Sequence, residues 1–326
     1  MINVQPLKSF SSSVLVTSCI DDHITTVAVW AGKETRAMYA DAWRFVYQEN
    51  PQELLMNRVS YPKLNLELLE QVHGLQVSFT ERDFTGTTLN SNQDEEVYLD
   101  RLEKELCSGM PVLVGIDVFY CPWSETYLKS HARHSSLAVG LDRPGREIDL
   151  VDSYYGITST AFALDVFLAA SPYYACFSSD PSFSFNPDWR TLLSISLFNP
   201  DHGITPQDVL QDLCTFALAY LEEGIVTAEP EAYMIPFMHQ FMKFPLARMR
   251  YSSFLLYMYE ISGEQKLHVL SGQFTELAKR WEAMMQQVMK CFFSGNSITQ
   301  REKMYQKMLG MIAKEEELFR CLENLA

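Results

Sequence analysis

The 326-residue chain contains no apolar run near the roughly 18–20 residues that span a bilayer, which excludes an ordinary transmembrane helix. Its opening, MINVQPLKSFSSSVLV, lacks a basic stretch followed by a long apolar core, so no secretory signal is expected. Cysteine never occurs as a CxxC pair: the seven stand at positions 19, 107, 121, 176, 214, 291 and 321. An odd, scattered set fits neither a disulfide framework nor a zinc ribbon, and suits reduced thiols in a cytoplasmic protein. Basic residues are scarce, 26 Lys and Arg against 41 Asp and Glu, for a net charge of −15. Such a chain is a poor ligand for polyanions, so neither nucleic acid nor an anionic membrane is expected as a partner. A local exception is KFPLARMR, Lys243 to Arg250, with three positive charges and no acid.

What is present supports a full core: 47% of residues are hydrophobic, enough for one large or two medium domains. Up to about Pro200 strand and helix patterns mix; beyond it helical periodicity dominates. Helices are predicted from Cys19 to Ala31, with Gly32 as a stop, over Thr35 to Gln48, from Leu64 to Val72 and from Glu96 to Leu106. GLQVSF, MPVLVGIDVFY and TLLSISLF (Thr191 to Phe198) read as strands, and Thr85 to Glu96 as a loop. SSLAVGLD and REIDLVDSY flank the turn DRPG and predict a hairpin. Leu267, Leu270, Phe274, Leu277, Trp281, Met284, Val288 and Cys291 form an unbroken heptad seam. Val209, Leu213, Phe216 and Tyr220 repeat it, as do Met304, Met308, Met311, Leu318, Leu322 and Leu325 with a lapse at Glu315. The expected architecture is α+β: a catalytic region over 1–200 and an α-helical bundle over 201–326. The Met-rich faces suit core packing or an apolar groove, and exposed heptad faces would permit a homodimer.

Cys19 stands where an extended run gives way to a helix, behind the capping candidates Thr17 and Ser18. Unpaired N–H groups and the helix dipole favour a thiolate there. Asp21 and Asp22 oppose it, so a reactive Cys19 needs a cationic partner. His134 opens a strand, and a turn and second strand lead to Asp152; across a hairpin the carboxylate can orient the imidazole. Cysteine helix, histidine strand and aspartate strand follow one another in the order of papain-like enzymes. The plainer readings are a buried apolar thiol, a core histidine and a turn aspartate. His131, His134 and Cys121 offer three donors without an evident fourth, so no metal is expected.

SCIDDHITTVAVWAG, GMPVLVGIDVFYCPW, HARHSSLAVGLD and DLVDSYYG together resemble the cysteine acyltransferase family named from butirosin biosynthesis. The core of that family is similar to bacteriocin-processing and papain-like cysteine peptidases. Its motifs fall on Cys19, on Gly109 to Tyr120, on His131 and His134, and on Asp152, so the likeness spans about Val14 to Gly156. It implies a papain-like core and acyl transfer from the phosphopantetheine thioester of an acyl or peptidyl carrier protein to a small-molecule amine. Cys19 would carry the acyl group, His134 would deprotonate the amine, and no cofactor would be bound. Asp117, Tyr120 and His131 become candidates for lining the substrate cleft. Where papain-like peptidases carry an oxyanion-hole glutamine this chain has Ser13, which leaves the Cys19 N–H as a donor. Carrier proteins are acidic, so Lys243, Arg248 and Arg250 are candidates for docking one. The same triad also suits a thioesterase, cyclase or peptidase, and a non-catalytic binding protein is the reading from another class.

Overall fold

A computed structural model describes residues 2–4, 18–61, 64–82, 92–180, 182–183, 185, 188–198, 203–226 and 236–326. It separates into two units, Met1–Thr35 with Leu66–Phe185, and Arg36–Asn65 with Asn186–Ala326. The first begins with β1 (Ile2–Asn3) and α1 (Cys19–Trp30). The chain then supplies the second unit with a 3-10 turn at Arg36–Tyr39 and the paired strands β2 (Val46–Tyr47) and β3 (Val59–Ser60). It returns with α2 (Leu66–His73), β4 (Leu75–Glu81), α3 (Asn92–Cys107), β5 (Val112–Asp117), β6 (Arg133–Asp142), β7 (Glu147–Asp152), β8 (Ile157–Ala163), α4 (Leu164–Ala170) and β9 (Tyr173–Ser179). The remainder is helical: α5 (Trp189–Phe198), α6 (Pro206–Glu223), α7 (Pro236–Phe241), α8 (Lys243–Ser262), α9 (Gln265–Phe293) and α10 (Ile298–Glu323). The architecture is thus mixed α+β. Of the loop expected over Thr85 to Glu96, residues 85–91 lie outside the described residues, as do Ser13 and Thr17, and from Asn92 the chain is helix, α3 beginning four residues before the expected start at Glu96.

The first unit is an antiparallel sheet in the order β4-β9-β5-β6-β7-β8, with β1 also paired to β6. Val112, Leu113, Val114 and Ile116 are all buried, as a near-continuous apolar run requires of a strand covered on both faces. The β6–β7 hairpin turns at Asp142, whose Oδ1 accepts from the Gly145 N–H at 3.2 Å. Register shifts between Ala138 and Gly140 and between Leu150 and Asp152 bend this hairpin and re-aim its ends.

In the second unit the heptad positions from Leu267 to Cys291 are all buried. The chain's own helices therefore cover this seam. Capping boxes open α6 at Thr205 and α10 at Ser297, each satisfying otherwise orphaned backbone donors. The lapse at Glu315 is filled by an ion pair: Arg248 Nε and Nη2 reach Glu315 Oε1 and Oε2 at 3.0 and 2.7 Å. Trp281 Nε1 donates to the same carboxylate at 2.8 Å.

Three sequence expectations are corrected. Thr191 to Phe198 is helix, not strand, because Leu192, Leu193, Ser196 and Leu197 form its buried face and Asp188 accepts from the Thr191 N–H and hydroxyl at 3.2 and 2.8 Å. Thr35 to Gln48 is not a continuous helix: Val46 and Tyr47 pair with Ser60 and Val59, and Tyr47 N donates to Asp212 at 3.0 Å. The two-part division at residue 200 gives way to an interleaved one. Trp43 and Phe45 explain it, since their rings lie 4.8 Å from Phe319 and 5.0 Å from Phe244.

Candidate active site

Cys19 is the first residue of α1, and Ser18 caps the helix by accepting from the Asp21 N–H at 3.3 Å. The thiol therefore stands among first-turn amides, where negative charge is favoured. Ile24, Val27 and Ala28 are fully buried and pack α1 on β6, which delivers Cys19 to His134 at the start of that strand. Asp152 ends the neighbouring β7. Leu137 pairs with Val151, so Asp152 follows opposite Ser136, and His134 lies two residues further along the same face.

His134 Nε2 is 2.7 Å from Asp152 Oδ2, and the imidazole is near enough to the Cys19 thiol for each to shift the other's ionisation. With Nε2 on the carboxylate, Nδ1 is the nitrogen left for the thiol. Asp152 is enclosed and well held: Oδ2 accepts from Trp123 Nε1 at 2.8 Å and from the Ser136 hydroxyl at 3.4 Å, and Oδ1 from the Tyr155 N–H at 3.2 Å. The electrostatics follow from these contacts. Burial opposes ionisation of Cys19, yet its pKa is lowered, because the neighbouring His134, by contact and by charge, favours the thiolate. Burial likewise pulls His134 down, but Asp152 and Cys19 raise it to about 9. Burial would raise Asp152, and the His134 bond and charge bring it below the usual carboxylate range. All three directions favour a thiolate–imidazolium pair braced by a carboxylate.

Several neighbours escaped the sequence reading. His23, one turn beyond Cys19 on α1, is fully buried. Its Nδ1 bonds the Cys19 carbonyl oxygen, and its Nε2, without a hydrogen-bond partner, faces Asp152 Oδ1 at 3.9 Å. Burial chiefly lowers its pKa to about 4, so it is neutral where the pair is charged. The i, i+4 spacing from Cys19 was its sequence signal. Tyr154 and Tyr155 place ring centroids 5.7 and 5.2 Å from that of His134 and are partly exposed, forming an aromatic rim.

Asp117 and His131 meet each other but make no hydrogen bond or ring contact with the triad. His131 Nδ1 is 2.6 Å from Asp117 Oδ2, while Asp117 Oδ1 accepts from the Phe119 and Ala132 N–H groups at 3.0 and 3.1 Å. Phe119 stacks on His131 at 4.3 Å and Tyr120 stands edge-on to it at 6.3 Å. This cluster ties the end of β5 to the approach to β6. Among the described residues no group of His, Cys, Asp and Glu is arranged to hold a metal.

Arg248 has no part in a docking surface: its side chain is fully buried against Glu315. Lys243 and Arg250 are partly exposed and lie over the rings of Tyr61 and Tyr39 at 5.6 and 5.9 Å. The Met304, Met308 and Met311 face of α10 is core. A groove of about 750 Å³ lies instead between α7 and α9, lined by Met238, Met242, Met285, Met289 and Phe293. No helix among the described residues is long and apolar enough to cross a membrane. No protein-family model matches the chain, and no curated protein matches it.

Proposed function

We propose that the protein is a cysteine-dependent acyltransferase with a papain-like core, forming an acyl-Cys19 intermediate from a carrier-bound thioester and passing the acyl group to an amine. The observation that carries this reading is the chain of contacts from the Cys19 sulfur through His134 to Asp152. In the resting pair the Cys19 thiolate attacks the thioester carbonyl, a C–S bond forms and the π electrons move to oxygen. Collapse of the tetrahedral adduct expels the pantetheine sulfur, which takes the proton of the His134 imidazolium. Neutral His134 then removes a proton from the amine as nitrogen attacks the acyl carbon, and Cys19 leaves as thiolate. Asp152 stays ionised and holds the ring in one orientation throughout. Exchange between two sulfurs is nearly isoenergetic, so a thiol nucleophile suits a thioester donor.

The amine acceptor rests on the family resemblance of the segments around Cys19, His134 and Asp152; the triad alone serves water equally well. The test is incubation with an N-acetylcysteamine thioester as the carrier mimic, followed by intact-mass measurement with and without an added amine. An acyl adduct that maps to Cys19, disappears in Cys19→Ala and is discharged faster by amine than by buffer supports the proposal. Discharge at the same rate with and without amine would make the protein a hydrolase, and no adduct at all a binding protein.

A further inference from the structure

His23 follows Cys19 by one turn of α1, and its side chain is wholly enclosed. Its Nδ1 bonds the Cys19 carbonyl oxygen; a carbonyl only accepts, so Nδ1 carries the proton. In a neutral imidazole the other nitrogen is then a bare acceptor. That nitrogen, Nε2, finds no donor and stands 3.9 Å from Asp152 Oδ1, an acceptor facing an acceptor. Enclosing a polar atom in this way costs stability, a cost that a leucine of similar bulk would not carry. The atoms around it belong to the triad. Asp152 lies between two imidazoles, with Oδ2 2.7 Å from His134 Nε2 and Oδ1 facing His23. The two histidine ring centroids are 6.2 Å apart and the rings nearly perpendicular, at 84°. One turn further along α1, Thr26 Oγ1 and Ser153 Oγ are 2.7 Å apart, so this face of the helix is fastened to the end of β7. Asp152 and His134 are the charged groups that act on His23 from the strands. On its own helix, Asp21 accepts from the Ser18 hydroxyl at 2.6 Å and Asp22 is buried.

We propose that His23 is a positioning residue of the Cys19 site: its Nδ1–H pins the carbonyl of the nucleophile, and its bare Nε2 turns the lone-pair end of the ring to Asp152 and His134. The pinned carbonyl fixes the first turn of α1, and with it the direction in which the sulfur leaves the helix. In this tautomer the ring is also a fixed dipole, positive at Nδ1–H beside the Cys19 backbone and negative at Nε2. The negative end adds to the hold of Asp152 on the His134 imidazolium. It brings no proton of its own to the carboxylate, so His134 keeps Asp152 as its counter-ion. His23 makes and breaks no bond and carries the same proton through acylation and amine transfer. Its catalytic meaning rests on the acyltransferase reading, which it deepens.

The test has two readouts. Nitrogen NMR of the histidine rings distinguishes the two neutral tautomers, and at neutral pH His23 is expected in the Nδ1–H form. The pH dependence of Cys19 alkylation by iodoacetamide, read by mass spectrometry of the Cys19 peptide, reports the ionisation of the thiol. His23→Leu fills the volume but removes both ends of the dipole, and the midpoint is expected to move up by about half a unit to one unit, roughly a three- to tenfold change in the ionisation equilibrium. His23→Asn, whose amide can donate to the Cys19 carbonyl as Nδ1 does, stays closer to the unaltered protein. His23 found with its proton on Nε2 overturns the proposal. So does a His23→Leu profile that superimposes on the unaltered protein's, or His23→Asn shifting as far as His23→Leu. Should His23→Leu not fold, the tautomer decides. Neither readout needs an acyl donor, so a failure of acyl transfer and a failure of this positioning role are read separately.

Discussion

His134 Nε2 and Asp152 Oδ2 stand 2.7 Å apart, although the residues are 18 positions apart in the chain. The β6–β7 hairpin alone brings them together, and the bond is a principal cause of the raised His134 pKa. Asp152→Asn replaces the carboxylate with an amide that cannot stabilise an imidazolium. The His134 midpoint, followed by NMR titration, is expected to fall from about 9. Acyl-Cys19 formation is expected to slow by about 10²- to 10⁴-fold. An unaltered midpoint and rate would remove Asp152 from the site.

His23 carries a pH signature of its own. Its pKa is lowered to about 4 from 6.5, chiefly by burial, so between those values the unfolded chain binds a proton that the folded chain does not. Stability therefore falls as pH drops through that window. Across it, His23→Gln should lose less stability than the unaltered protein, by on the order of 3 kcal/mol. Urea unfolding at several pH values makes the comparison; parallel curves for the two proteins would contradict it.

Gly115 is needed for space rather than for backbone freedom. Gly115→Ala forces the rigid Tyr173 ring to move, at an expected cost of about 1–3 kcal/mol in unfolding free energy. If the ring is the whole reason, adding Gly115→Ala to Tyr173→Ala costs little more. A full second penalty in the double variant would point to another obstruction.

The enclosed Arg248–Glu315 pair gives a stability cycle. Arg248→Met leaves Glu315 charged and buried, an expected loss of about 3–5 kcal/mol, and Glu315→Leu in the same chain restores most of it. Thermal or urea unfolding of the two single variants and the double variant measures this directly. A double variant no more stable than Arg248→Met would show that the pair does not act as a unit.

Local pattern made much of the site legible. SSLAVGLD, DRPG and REIDLVDSY carry both strands and the turn, so His134 and Asp152 could be placed on one hairpin from spacing alone. Cys19 declared itself by its position behind Ser18. The same local reasoning misread TLLSISLF, whose alternating residues fit a strand while their burial follows a helix. It also took Arg248 for a surface charge, because nothing adjacent in sequence names Glu315 as its partner.

The sequence by itself determined the helix that begins at Cys19 and the hairpin that carries His134 and Asp152, since periodicity, caps and turn residues act within a few positions of one another. It also determined which side chains could supply nucleophile, base and orienting carboxylate. Tertiary structure alone decided which of them meet: that His134 reaches both Cys19 and Asp152, that His23 is sealed beneath them, and that Arg248 is withdrawn from solvent. Those outcomes depend on burial and on contacts between strands and helices distant in the chain, and both raise or lower the energy of a charge far more than its immediate neighbours do.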